Sequence, residues 1–223
     1  MRWTFLEGVP EADRRRLLAA THRRRFARRE VLFHEGDPGD AVHLLDRGRV
    51  AVRITTPMGD VATVRVRGPG SVIGELALLG SSTSEVPRRM ATVVALERAE
   101  TLALHRDQFM ELRAAFPSVD AFLVNVLAEE VSRLSGLLVE ALHVPVDVRV
   151  LRRLVALASD YSEGSSAAGI EVPLTQEDLA SLAGTSRATV NRVVGEAEQA
   201  GLVQRRRGRV IVVDPAGLAA RAR

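Results

Sequence analysis

The stretch Leu174–Val194, LTQEDLASLAGTSRATVNRVV, reads as two short helices joined by a tight turn. Thr175 with Asp178 three residues on makes a capping box that starts the first helix, each side chain satisfying a backbone N–H of the other residue. Leu179, Ala180 and Leu182 supply that helix's inner face. Ala180 is small where a second helix must approach closely, and Gly184 stands where the turn needs a positive φ. Ser186 caps the second helix, whose inner face is Val190, Val193 and Val194, so Arg187, Ala188, Asn191 and Arg192 face outward. The spacing of Ala180, Gly184 and Val190 is what a helix-turn-helix requires, the second helix being the one that enters a DNA major groove.

Just downstream, Leu202–Asp214 (LVQRRRGRVIVVD) reads as two short strands around Arg207 and Gly208, a wing with an arginine-rich tip. Between Thr185 and Val213 stand Arg187, Arg192, Arg205, Arg206, Arg207 and Arg209 against Glu196 and Glu198, a local excess of four positive charges where phosphates would bind. The guanidinium forks of Arg187 and Arg192 match guanine O6 and N7, each worth about 1–3 kcal/mol of discrimination. Thr175, the wing arginines (Arg207 and Arg209 among them) and the first amides of both helices suit phosphates. Asn191 suits either an adenine or a phosphate. Ser186, Ala188 and Thr189 complete the expected DNA-facing set.

The whole chain, 223 residues, has room for two modest domains, each with its own core. Apolar residues make up 46% and charged residues 26%, which rules out a disordered chain. Net charge is only +3, and all 31 basic residues are arginine. The absence of cysteine excludes disulfides, thiolate zinc sites, cysteine-ligated iron–sulfur clusters and a cysteine nucleophile. No apolar run reaches the ~18 residues of a membrane helix, and the stretch MRWTFLEGVPEADRRR lacks a secretory apolar core. A cytoplasmic protein with no membrane partner is expected.

From Arg28 to Leu104 the chain is punctuated by Gly36, Gly48, Gly59 and Gly70, at spacings of 12, 11 and 11 residues. That is the strand-and-turn rhythm of an antiparallel roll or sandwich. Val50, Val52 and Ile54 alternate with Arg49, Ala51 and Arg53, and Val64 and Val66 with Arg65 and Arg67, placing one face on a core and the other in water. Further strands fit Thr92–Leu96 and Thr101–Leu104, and a short helix opening at Pro10 turns Leu17 and Leu18 inward. From Ser118 to His143 the period becomes helical. Leu123, Leu127, Val131, Leu134, Leu138 and Leu142 form one apolar stripe, and Phe122, Val126, Leu137 and Ala141 a second. One stripe is expected to face the roll and the other the same helix of a second subunit. Pro145 ends this helix, a further one runs from Val148 to Ser159, and Ser162–Gly169 reads as a loop.

A glycine-punctuated roll, a long helix and a winged helix-turn-helix, in that order, resemble the cyclic AMP receptor protein/FNR family of transcription regulators. The resemblance covers nearly the whole chain. It rests on His34–Val50 (HEGDPGDAVHLLDRGRV), Val72–Leu79 (VIGELALL), Arg88–Leu96 (RRMATVVAL) and Leu174–Val193. It implies an α+β protein: an antiparallel jelly-roll sensor of the cyclic-nucleotide-binding kind over residues 1–117, a dimerisation helix over 118–144 and a winged helix-turn-helix domain over 145–223. It also implies a homodimer joined through that helix, a near-palindromic double-stranded DNA site, and RNA polymerase as a partner. No obligatory cofactor is implied; cyclic AMP or a related cyclic nucleotide is the implied effector.

The family's phosphate-binding cassette maps onto Gly74, Glu75, Leu76 and Arg89. Amides beside the glycine meet a cyclic phosphate, Glu75 accepts from the ribose 2′-hydroxyl, and Arg89 neutralises the phosphodiester. Three departures stand out. Met90 replaces the serine or threonine that usually follows the arginine. The segment between Glu75 and Arg89 is several residues longer than usual, so the Gly80–Pro87 loop must differ. An adenine-contacting threonine–serine pair becomes Leu134–Ser135, which keeps one hydroxyl. The expected effector-contact set is therefore Gly74, Glu75, Leu76, Arg89, Met90 and Ser135. The departures leave a second reading open, in which Glu75 and Arg89 pair with each other and DNA is bound without a nucleotide or with another ligand.

In the recognition helix both family arginines stand, at Arg187 and Arg192, but the usual glutamate between them is Ala188. That glutamate would accept from cytosine N4, so the preference at one base pair of each half-site is expected to relax or change. The five histidines (His22, His34, His43, His105, His143) show no ligand spacing, so neither haem nor any metal is expected. Nothing near Glu75 makes an acid–base pair, and the chain is not expected to be an enzyme.

Overall fold

Gly36, Gly48, Gly59 and Gly70 all adopt positive φ, between +76° and +89°, and each lies in a connection between consecutive strands. At Gly48 no other residue fits: an added Cβ would fall 2.4 Å from the Arg98 carbonyl oxygen. The computed structural model describes residues 3, 6–79, 87–162 and 169–223. Gly80–Pro87 except Pro87, and Ser162–Gly169 except its two end residues, lie outside the described residues. The chain divides into two compact units, Met1–Val61 with Arg65–Arg133 and Ala62–Val64 with Leu134–Arg223.

The roll opens with helix α1 (Glu11–Ala20), followed by strands β1 (His22–Phe26), β2 (Val31–Phe33), β3 (Ala41–Arg47), β4 (Val50–Thr55), β5 (Val61–Arg67) and β6 (Val72–Ile73). A single turn, α2 (Leu76–Leu79), precedes β7 (Thr92–Ala95) and β8 (Ala99–His105); helix α3 (Arg106–Ala115) follows, and α4 (Pro117–His143) runs from the first unit into the second. The strands form two four-stranded sheets, in the orders β1-β8-β3-β6 and β2-β7-β4-β5. Because successive side chains of a strand face opposite ways, β3 is buried on both faces. Val42 and Leu44 pack in a cluster with Leu104, Phe109, Leu112, Val119 and Leu123, the helix-covered core, with Leu17 and Leu18 against it. Leu45 joins the second core, among Phe26, Leu32, Val50, Ile73 and Val93. His43, on the same face as Leu45, is thereby drawn into the interior at 3% exposure.

The alternation expected of β4 and β5 is only partly realised. Ala51 is as buried as Val50, Ile54 is exposed, and Arg65 and Arg67 are half-buried where a solvated face was expected. The reason is local. β5 is an edge strand of its sheet, and Arg67 meets Glu75 while Arg65 meets Glu130 of α4. Helix α3 was not foreseen; the His105 ring caps it by accepting from the Asp107 amide.

α4 has 27 residues, about 40 Å of helix. Its first turns are anchored by Val119 and Leu123, both buried. Beyond them Leu127, Val131, Leu134, Leu138 and Leu142 are all exposed, while Val126 and Leu137 of the other stripe are half-buried.

In the second unit α5 (Val146–Asp160) buries Val150, Leu151, Leu154 and Leu157. β9 (Ile170–Val172) leads into α6 (Gln176–Ala183) and α7 (Arg187–Gln199); β10 (Val203–Arg206), β11 (Arg209–Val212) and α8 (Pro215–Arg221) follow. The capping box at Thr175 is present, with Asp178 N donating to Thr175 Oγ1 at 3.1 Å and Thr175 N to Asp178 Oδ2 at 3.1 Å. Gly184 ends α6 in the left-handed region (φ +61°), and Ser186 Oγ accepts from Thr189 N to start α7. Leu179, Ala180, Val190, Val193 and Val194 are buried between the helices; Ala183 is buried where Leu182, half-exposed, was expected. β10 and β11 form the wing hairpin, with Arg206 opposite Arg209, and β9, which the sequence did not announce, adds a third strand beside β11. Among the described residues no helix is long and apolar enough to cross a membrane.

Candidate functional site

Two places in the chain gather charged side chains with chemistry to offer. In the roll, β6 ends at Gly74, whose φ is +86°. A Cβ there would lie 2.3 Å from Arg89 Nη1, so glycine is what lets the guanidinium pass behind the turn. Arg89 reaches that place because its segment is laced to the turn after β2: its N–H donates to Asp37 O at 2.8 Å, and its carbonyl accepts from Gly36 N at 2.9 Å. The side chain is 3% exposed. Nη2 donates to Asp40 Oδ1 at 3.2 Å, Nη1 to Gly74 O at 3.3 Å, and Cζ lies 4.3 Å from the Phe33 ring centroid, a cation–π contact. Nε is buried and has no partner among the described residues.

Glu75 is 5% exposed, and burial raises its pKa against the opposing pull of Arg67, Arg65 and Arg89. Its closest cation is Arg67, at 3.9 Å. Glu75 and Arg89 therefore do not pair with each other as the second sequence reading held; Asp40 and Arg67 are their partners. Next to Arg89, His43 donates to or accepts from Thr101 Oγ1 at 3.2 Å, and its pKa is pushed down to about 4 by burial, with Arg89 and Arg24 adding to the effect and Asp40 opposing it.

Leu76 is exposed at the start of α2, and Met90 lies open at 65% exposure. Ser135 lies exposed on α4, in the second unit, where Leu134 is also exposed. A buried cation with an unused N–H, a glycine turn and a buried carboxylate suit a small ligand carrying both an anion and hydroxyls. Asp40 and Phe33 were not singled out from the sequence. Asp40 lies inside the quoted His34–Val50 stretch, but no spacing ties it to a residue 49 positions on.

In the second unit, Thr175, Gln176, Arg187, the Arg205–Arg207 run and Arg209 line a concavity of about 540 Å³ between the starts of α6 and α7 and the wing. Arg187 and Arg207 are exposed with no side-chain partner among the described residues. The other arginines are engaged. Arg192 is held by Asp147 at 2.5 and 3.2 Å and by Glu196 at 2.9 Å, and these carboxylates raise its pKa. Arg209 donates to both oxygens of Glu171, at 2.9 and 3.1 Å. Arg205 meets Glu198 Oε2 at 2.6 Å and Asn191 Oδ1 at 2.9 Å. Thr175 and Ser186 are exposed and serve as caps, Ala188 is exposed, and the half-buried Thr189 shares a hydroxyl contact with Ser186 at 3.0 Å. Glu196 stands at i+4 from Arg192 on the same helix, a local pairing, but no pattern in the sequence signals Asp147 on Arg192 or Glu198 on Arg205. Among the described residues no group of three or more acids and histidines could hold a metal.

A charged β-roll followed by a winged helix-turn-helix is the architecture of a sensor joined to a DNA-binding module. The Cyclic nucleotide-binding domain family matches residues 23–116, and the Crp-like helix-turn-helix domain family matches residues 148–221. The Cyclic AMP receptor protein of Thermus thermophilus is 32% identical over 199 residues, 89% of this chain and 87% of that one. The CRP-like cAMP-activated global transcriptional regulator of Mycobacterium tuberculosis is 28% identical over the same shares. Among solved structures, the Thermus thermophilus Catabolite Activator Protein is 30% identical, with a TM-score of 0.53 over 98% of each chain. A second CRP-family transcriptional regulator of Thermus thermophilus is 26% identical, with a TM-score of 0.72 over 89% of this chain and 96% of that one. The chain belongs to the cyclic AMP receptor protein/FNR family of transcription regulators.

Proposed function

We propose that the chain is a homodimeric DNA-binding transcription regulator of the cytoplasm, gated by a cyclic nucleotide, cyclic AMP first among them, held in the roll. The buried Arg89, its Nε unpartnered among the described residues, behind the Gly74–Glu75 turn, carries this reading. Arg89 would take the phosphodiester, the amides of Glu75 and Leu76 would add to it, and Glu75 would accept from the ribose 2′-hydroxyl. Met90 would border the phosphate without a hydroxyl to offer, and Ser135 would meet the base. Two relatives named for cyclic AMP support the choice of nucleotide. The proposed organisation is a sensor over 1–117, a dimer helix over 118–144 and a DNA-binding domain over 145–223.

The exposed stripe from Leu127 to Leu142 supports the dimer, because five large apolar side chains on one helix face call for a partner surface. The arginine-lined concavity supports DNA as the partner of the second unit, with Arg187 and Arg192 reading bases and Thr175, Arg207 and Arg209 on phosphates. Regulation of transcription then brings the dimer to RNA polymerase, and no catalysis is assigned to the chain. Gating requires the nucleotide to prefer one state of the dimer; a 100-fold effect on DNA binding needs about 2.7 kcal/mol of differential affinity.

A ligand-independent regulator is the second reading. The Arg89–Asp40 pair favours it, because Asp40 already supplies the negative charge a phosphate would bring. Isothermal titration of cyclic AMP into the nucleotide-stripped protein and its Arg89→Met variant tests the choice. Micromolar binding that the variant loses supports the nucleotide; no heat at millimolar cyclic AMP from the wild type supports a regulator that acts without a ligand or with another one.

A further inference from the structure

Asn191 points out of the recognition helix, and its carbonyl oxygen is already in use. Arg205 Nη1 donates to Asn191 Oδ1 at 2.9 Å, and Gln176 Nε2 donates to the same oxygen at 3.4 Å. A guanidinium has donors and no acceptor, so the atom of Asn191 that faces Arg205 has to be the oxygen. Two donors use both of that oxygen's lone pairs. Arg205 is itself fixed: its backbone N–H donates to Glu198 Oε1 at 2.7 Å and its Nε to Glu198 Oε2 at 2.6 Å. Asn191, Gly195 and Glu198 follow one another at i, i+4 and i+7 on a single ridge of α7. The guanidinium lies along that ridge, with only 3.5 Å between Nη1 and a Cβ added at Gly195. Asn191 Nδ2 makes no hydrogen bond among the described residues.

We propose that Arg205 of the wing is a positioning residue that locks the Asn191 amide with its N–H groups toward DNA, so that this position of the recognition helix reads guanine and not adenine. The proposal rests on the DNA-binding reading above and adds its base preference. Asparagine recognises adenine through two bonds at once, Oδ1 from N6–H and Nδ2 to N7. With Oδ1 occupied, only the donor half remains. Guanine presents two acceptors, N7 and O6, to such a donor; adenine presents one acceptor beside a donor, and cytosine presents a donor.

Selection of binding sites from a random double-stranded DNA pool, with and without cyclic AMP, tests this on the full-length wild type and on Asn191→Ala and Arg205→Met. The wild type is expected to enrich a two-fold site with guanine at one position of each half. Asn191→Ala should lose the preference at that position alone. Arg205→Met frees one of the oxygen's two lone pairs, enough to accept from adenine N6–H while Gln176 keeps the other, so the adenine-to-guanine ratio there should rise about tenfold. A merely structural role for Arg205 would lower affinity without changing the selected base. The same base selected by wild type and Arg205→Met, or unchanged preferences in Asn191→Ala, overturns the proposal while leaving DNA recognition standing. A wild type that enriches no site overturns both.

Discussion

Arg89 of the roll is 3% exposed and held between Asp40, the Gly74 carbonyl and the Phe33 ring, whereas Arg187 and Arg207 of the winged helix stand in water with no side-chain partner among the described residues. Their exposed neighbours Arg192 and Arg209 have only surface carboxylates to leave. The contrast separates two tasks. A buried charge costs several kcal/mol of desolvation, so its surroundings must be fixed in advance, and only a ligand of matching shape and charge can join it. Exposed pairs are each worth about 0–1 kcal/mol, so DNA phosphates can exchange for them at little cost. The roll is organised to select, and the winged helix to respond.

The largest effect that could break this contrast is acid sensitivity of the roll. His43 has a folded pKa of about 4 against 6.5 for a free imidazole, so as pH falls the unfolded chain takes the proton first. The stability gained by keeping this ring neutral is therefore complete above pH 6.5 and lost between 6.5 and 4, by up to about 3 kcal/mol. Glu75 has the opposite sign. Its raised pKa makes the folded state take the proton first, which offsets part of the loss in the acid range. Urea unfolding of wild type and His43→Gln at pH 7.5, 5.5 and 4.5 isolates the histidine. The variant should lose the steeper slope, and equal slopes would remove His43 from the account.

Gly74→Ala comes next. It combines a φ of +86° with a Cβ 2.3 Å from Arg89 Nη1, so a stability loss of about 1–3 kcal/mol and loss of nucleotide binding are expected together. Thermal shift with and without cyclic AMP reads both; a variant as stable and as responsive as wild type would show that the turn is not held against the guanidinium. Arg187→Ala in the other unit should cost about 1–3 kcal/mol per half-site on the selected operator and much less on random DNA. Equal losses on both DNAs would make Arg187 a phosphate contact. The smallest effect is at Asp147→Asn, which frees Arg192 from one carboxylate. A two- to threefold gain in DNA affinity is expected, in keeping with an exposed pair, and a gain above thirtyfold would mean that Asp147 holds the arginine back from DNA.

The parts of this molecule legible in its sequence are those with a local cause. The capping box at Thr175, the left-handed Gly184 and the turn glycines Gly36, Gly59 and Gly70 each depend on neighbours within a few residues. The apolar stripe of α4 is legible because helical period alone writes it. What escaped has its cause far along the chain. Asp40 meets Arg89 across 49 residues, and Asp147 meets Arg192 across 45. Alternation in β5 marks Arg65 and Arg67 as solvated because it says nothing of Glu130 and Glu75. In the same way β9 is three residues long, too short for a pattern, and becomes a strand only because β11 offers it an edge.

Whether a charge buried in the roll governs DNA binding is read by fluorescence anisotropy of the selected operator, titrated with wild type and Arg89→Met in the presence and absence of saturating cyclic AMP. Cyclic AMP should tighten operator binding by the wild type at least tenfold and leave the variant unchanged. Equal operator affinity of the wild type with and without the nucleotide would contradict that role for Arg89.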